Sequence, residues 1–189
     1  NSVAYAAELV HFLSGISAEM RDERSQPESG FDPPYTTVHV GTIQGGTAQN
    51  IVPLHCTFTW EYRLMPAQDA DEIRDRFQAH GDEVVLPKRH AVDVSTGIET
   101  EVRAFVPGLA PEDGSTAEAL VLALARKNTT EVVAYGTEAG QFQQAGNPVV
   151  VCGPGSIAQA HKPNEYIELS EVRACEQFMR RLLDEVCAA

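Results

Sequence analysis

The run GPGSIAQAHKPNE at residues 153–165 sets one histidine, His161, among glycine, proline and small polar residues just after the apolar segment PVVVC. Ligand sites in open α/β sheets form outside the carboxyl ends of strands, so an imidazole there is placed to bind a metal or move a proton. The other reading is a loop histidine bonded to backbone. Gly153 and Gly155 let a ligand approach the backbone closely and leave amides free for a carboxylate. Glu165 is either an acceptor that orients the imidazole or a solvated charge.

A second junction, YGTEAGQF at 135–142, puts Thr137 and the amides after Gly136 at a helix N-terminus. Such a place suits an anionic group, or is only a helix cap. Glu138 complements the helix dipole or binds a substrate amine. Asn50, in GGTAQNIVP at 45–53, reads as a turn residue, and Arg63, near Glu61 on a polar strand face, as half of a cross-strand ion pair. His11, His39, His55, His80 and His90 form no HxxxH or HxD pair, and no GxSxG supports a serine nucleophile.

The 189 residues hold one medium domain or two small ones. With 43% hydrophobic and 22% charged residues, the chain has the balance of a folded globular protein. A formal charge of −13 repels a phosphate backbone, which argues against nucleic acid as a partner. No apolar run approaches the roughly 20 residues that span a bilayer, and no signal peptide opens the chain, so a cytoplasmic location is expected. Cys56, Cys152, Cys175 and Cys187 form no CxxC, so reduced thiols are expected. The chain starts at Asn1 without methionine, directly in a helical pattern, and is expected to be part of a longer protein.

These residues must be positioned by regular elements. Val3, Ala6, Val10, Leu13, Ile16 and Met20 recur near a 3.6 period and predict an amphipathic helix over 2–21. Alternation predicts strands over 35–43 and 54–64, the second with Cys56, Phe58, Trp60 and Tyr62 on one face. Asp69 with Glu72 reads as a capping box opening a helix that Gly81 ends, and a third alternating run is expected over 98–106. Helix, strand, strand, helix, strand is the ferredoxin-like βαββαβ pattern lacking its first strand.

PGLAPEDGS at 107–115 marks a boundary between domains 1–107 and 108–189. Ser115 and Glu118 predict a second capping box, EVVAY (131–135) and PVVVC (148–152) read as buried parallel strands, and a helix is expected over 170–186. That is a layered α/β arrangement with too few elements for a self-sufficient core. No internal repeat or low-complexity segment is present.

Taken together, VGTIQGGTAQNIVPLHCTFTWEYRLMP and YGTEAGQFQQAGNPVVVCGPGSIAQAHKPNEYIELSE resemble two signatures of one family. It is the dinuclear zinc hydrolase family of acetylornithine deacetylases, succinyl-diaminopimelate desuccinylases, aminoacylases and glutamate carboxypeptidases. The resemblance is to the C-terminal half, and GTEAGQF followed by GPGSIAQAHKPNEY favours the acetylornithine branch. It implies a ferredoxin-like lid that dimerises, followed by the C-terminal part of a layered α/β zinc-hydrolase domain. It implies His161 as a zinc ligand and Asn50 as a lid residue binding substrate in the partner's active site. Arg63, Thr137, Gly153, Gly155 and Ser156 would hold the carboxylate of an acylated amino acid. Zinc or cobalt, one or two ions, is implied for the intact enzyme, which would deacetylate N-acetylornithine for arginine biosynthesis. The family's other metal ligands and its general-base glutamate would lie upstream of Asn1, so this chain alone is expected to hold no metal and to be inactive. The alternatives are a non-catalytic dimerisation module, a desuccinylase or an aminoacylase.

Overall fold

A computed structural model describes residues 1–66 and 68–187. The chain is mixed α/β and divides into two compact units. The first comprises Asn1–Gly108 with Val132–Gly136, the second Leu109–Glu131 with the residues from Thr137 onward.

In the first unit, helix α1 (Ser2–Asp22) opens with the Asn1 side chain accepting the Ala4 N–H at 3.2 Å. It is followed by an antiparallel pair, β1 (Thr37–Gly45) and β2 (Cys56–Arg63). The alternation read in β2 holds: Cys56, Phe58, Trp60 and Tyr62 turn inward while Thr57, Thr59, Glu61 and Arg63 face solvent. In β1 the register shifts between Val40 and Thr42. Residues on opposite strands share a face when paired, so this bulge carries Ile43 to the side of Phe58 although Val40 also faces inward. Outside, Thr42 and Thr59 join hydroxyls at 2.7 Å.

Leu9, Leu13, Ile16 and Met20 from α1 bury against Ile73 and Phe77 of α2 (Glu72–His80), with the inner face of the sheet packed on them. Burying each such side chain contributes roughly 1.5–3 kcal/mol. The Trp60 ring lies 4.9 Å from that of Phe77, and the Tyr62 hydroxyl donates to the Ala70 carbonyl at 2.7 Å. Together they fix the sheet against α2.

Three expectations for this unit are corrected. Asp69 accepts the Asp71 N–H at 2.9 Å in a local turn, so α2 is capped at Asp71. Gly81 caps α2 but does not end the helical path, because it keeps right-handed backbone angles. The chain continues through a π-helical turn (Gly81–Val85) into α3 (Leu86–His90), a path that buries Val85 completely. Residues 98–106 form no strand, since their backbone meets no ladder partner among the described residues.

The second unit holds α4 (Thr116–Ala125), α5 (Ala139–Gln144) and α6 (Leu169–Cys187). Arg126, in the left-handed conformation, ends α4, and Arg181 of α6 donates to the Leu124 carbonyl at 2.6 Å. A cation on the final carbonyls of a helix is favourable. The Gln143 side chain bonds both the N–H and the carbonyl of Ala110, at 3.0 and 2.8 Å. The expected capping box is absent: Ser115 Oγ is buried with no partner, and Glu118 accepts instead from the Thr130 hydroxyl at 2.7 Å. Neither 131–135 nor 148–152 is a strand. Apolar composition suits them to burial on two faces, but no neighbouring strand pairs with them among the described residues. α6 shows the predicted apolar stripe, yet Val172, Met179 and Val186 are 44–63% exposed.

Candidate functional site

The candidate residues divide between the two units. Asn50 and Arg63 belong to the first. Asn50 sits in the β1–β2 connection, in a turn closed by the Ile51 N–H on the Ala48 carbonyl at 3.2 Å, and is exposed. Its place is that of an exposed loop residue.

Arg63 is the last residue of β2 and pairs with Thr37 of β1. Its side chain is 62% exposed, with Nε and Nη2 each 3.4 Å from Glu61 Oε1. The pair therefore runs along one strand, not across strands, because the residue opposite Glu61 is His39. Contacts at 3.4 Å to one oxygen are poor geometry for a guanidinium, which bonds a carboxylate best through two parallel short bonds. Arg63 thus offers a fork of donors from a fixed strand end.

Thr137, the 153–156 loop and His161 belong to the second unit. Thr137 Oγ1 accepts the Ala139 N–H at 3.2 Å, which makes it a local cap at the entry to α5. Gly155 adopts φ +93°, a conformation that favours glycine, and its N–H reaches Glu171 Oε2 at 3.4 Å. Sequence reasoning passed over Glu171, and the only signal was its place in the first turn of α6. Gly153 is exposed. Ser156 caps a short 3₁₀ turn (Ile157–Gln159), its hydroxyl accepting from Ala158 N–H at 3.2 Å.

His161 is exposed, in the left-handed region at φ +58°. Its backbone N–H donates to Glu165 Oε2 at 3.0 Å, so Glu165 braces the loop at the main chain instead of orienting the ring. The imidazole hydrogen-bonds no described residue. Among the described residues no three His, Cys, Asp or Glu side chains gather as a metal cluster. One imidazole cannot hold zinc or cobalt, which in catalytic sites takes about three protein ligands. The described residues therefore do not make a metal site by themselves. No described helix is long and apolar enough to cross a membrane.

Electrostatically, the strongest features lie away from these residues. Arg24 and Glu72 meet at 2.5 Å, and Arg76 and Glu19 at 2.5 Å, tying α1 to α2. Each carboxyl is held below its ordinary value by the hydrogen bond from its guanidinium partner.

The peptidase dimerisation domain family matches residues 2–88. An acetylornithine deacetylase of Myxococcus xanthus is 33% identical over 165 residues, covering 87% of this chain and 42% of that protein. An acetylornithine deacetylase of Photorhabdus laumondii subsp. laumondii is 30% identical over 185 residues, covering 96% of this chain and 46% of its own. The chain thus spans under half the length of the curated relatives it matches.

Proposed function

We propose, from the match of residues 2–88 to the peptidase dimerisation domain family, that this chain is the dimer-forming and substrate-gripping part of an amidohydrolase that deacetylates N-acetylornithine. The observation that carries the reading is similarity to two acetylornithine deacetylases through 87% and 96% of the chain. Water adds across the amide in that reaction: the bond between carbonyl carbon and nitrogen breaks, and acetate and ornithine leave. In this reading the ornithine released feeds arginine biosynthesis, and a cytoplasmic location is part of the same proposal.

The roles proposed for this chain's residues are those the resemblance to the family implies. In the first unit Arg63 offers its guanidinium to a substrate carboxylate; in the second, taken by itself, Thr137 and the amides of Gly153, Gly155 and Ser156 offer donors to an anionic group. Asn50, on the exposed β1–β2 connection, reaches substrate in the partner protomer. His161 gives one neutral imidazole to zinc, or to cobalt in its place, as one or two ions of the whole protein. The remaining metal donors and the general base are supplied from outside these 189 residues, so the chain by itself turns nothing over. At the level of this chain, the rival reading is a non-catalytic dimerisation module, favoured by the match to a dimerisation domain and by the lack of a metal cluster among the described residues.

The test is acetate release from N-acetylornithine by the full-length protein, with residues 1–189 alone as the inactive control. Activity with N-succinyl-diaminopimelate instead would move the protein to the desuccinylase branch. No cleavage of any acylated amino acid would leave the module reading standing.

A further inference from the structure

Thr36 is 1% exposed, and sequence parity with Val38 and Val40 places it on the core side of the strand it precedes. A hydroxyl taken from water costs free energy unless its bonds are replaced. Here both capacities are used: Oγ1 accepts the Met65 N–H at 2.9 Å and donates to the side-chain carbonyl of Gln68. The next residue, Thr37, is paired with Arg63 in the terminal rung of the ladder. Arg63 is therefore held between that rung and a clasp two residues further on, where Met65 is 4% exposed. Its guanidinium, by contrast, has among the described residues only the two 3.4 Å contacts to Glu61. The strand end is fixed and the side chain is free, which lowers the ordering cost of gripping a ligand.

We propose that Thr36 is a positioning residue, whose hydroxyl fixes the exit of β2 and so sets where the Arg63 guanidinium meets the substrate carboxylate; this rests on the reading of Arg63 given above. Thr36→Val keeps the shape but leaves the Met65 N–H and the Gln68 amide unpaired, a cost that loosens the strand end. Thr36→Ser keeps the hydroxyl. Gln68→Ala removes one bond from a partly buried side chain and leaves the core intact.

The experiment measures KM and kcat for N-acetylornithine in the full-length protein, with each variant alone and in an Arg63→Ala background. In the expected result Thr36→Val raises KM about fivefold or more and leaves kcat within about twofold. Gln68→Ala moves KM the same way by a smaller factor, and Thr36→Ser stays near the parent. In the Arg63→Ala background the Thr36→Val effect on KM disappears, since the two act through one contact. An unchanged KM in both Thr36→Val and Gln68→Ala, or a Thr36→Val effect that persists undiminished without Arg63, overturns the proposal while the Arg63 reading stands. An Arg63→Ala protein with the parent KM overturns that reading, and the proposal with it.

Discussion

Arg63 carries the sharpest expectation for a single residue. An exposed ion pair is worth under about 1 kcal/mol, and the 3.4 Å contacts to Glu61 are long even for one, so exchanging Glu61 for a substrate carboxylate costs little. In the full-length protein Arg63→Ala should raise KM for N-acetylornithine more than about tenfold, with kcat less affected, as steady-state kinetics will show. An unaltered KM would return Arg63 to its pairing with Glu61. His161 gives a second expectation: His161→Ala should lower the zinc retained per full-length protomer after dialysis, read by elemental analysis. Retention equal to the parent would remove the histidine from the ligand set. Residue types and glycine-rich surroundings drew attention to the His161 loop in the sequence, because a loop after an apolar segment needs little tertiary information. The roles of Glu165 and Glu171 were not legible, since either carboxylate reaches a backbone N–H only once the loop has folded. Thr36 was passed over although its parity with Val38 and Val40 was visible, since a threonine at a strand entry is ordinarily unremarkable.

At the scale of elements, α1 and α2 are joined by apolar packing and by the Arg24–Glu72 and Arg76–Glu19 pairs. With these side chains about one-third exposed, the pairs contribute on the order of 1 kcal/mol or less each. Their carboxyls titrate below the ordinary 4.5, so the folded state binds protons later than the unfolded one does. The stabilisation is therefore complete above the unfolded value and disappears as pH falls through the lowered folded values. Thermal unfolding of parent and Glu19→Gln protein should differ at neutral pH and converge as pH falls below the ordinary carboxyl value and through the lowered one. A difference independent of pH would contradict the ion-pair account. Gly45 makes a second point of contact: a Cβ there would lie 2.8 Å from both Cys56 Sγ and Val3 Cγ2. Gly45→Ala should therefore destabilise the protein by roughly 1–3 kcal/mol in denaturant titration, as overpacking does. α1, β1, β2 and α6 were readable because each carries its own periodicity. The runs 98–106, 131–135 and 148–152 were not, because an apolar run records that burial is wanted and says nothing of which strand will supply the hydrogen bonds. Gly81 misled for a related reason: the buried Val85 keeps the chain helical past a residue that often stops it.

At the scale of the molecule, each strand of the two-stranded sheet has one unpaired edge among the described residues. Such an edge is a template for pairing with another chain. A dimerisation-domain match over the same residues makes a second copy, related by a two-fold axis, the proposed occupant of that edge. Two copies approach with like charge, since each carries a formal −13 at pH 7. Self-repulsion opposes association when the screening length is long and fades when salt shortens it to about 8 Å or less. Apolar and backbone contacts along the strand edge change little with moderate salt. Dimerisation of this 189-residue chain should therefore be concentration-dependent and should strengthen as sodium chloride rises from about 0.05 to 0.5 M, where the Debye length falls roughly threefold. Sedimentation velocity at several protein concentrations measures both effects. A monomer at every concentration and salt would remove the two-fold assembly, and a dimer that weakens with salt would show that ion pairs, not strand-edge bonding, hold it together.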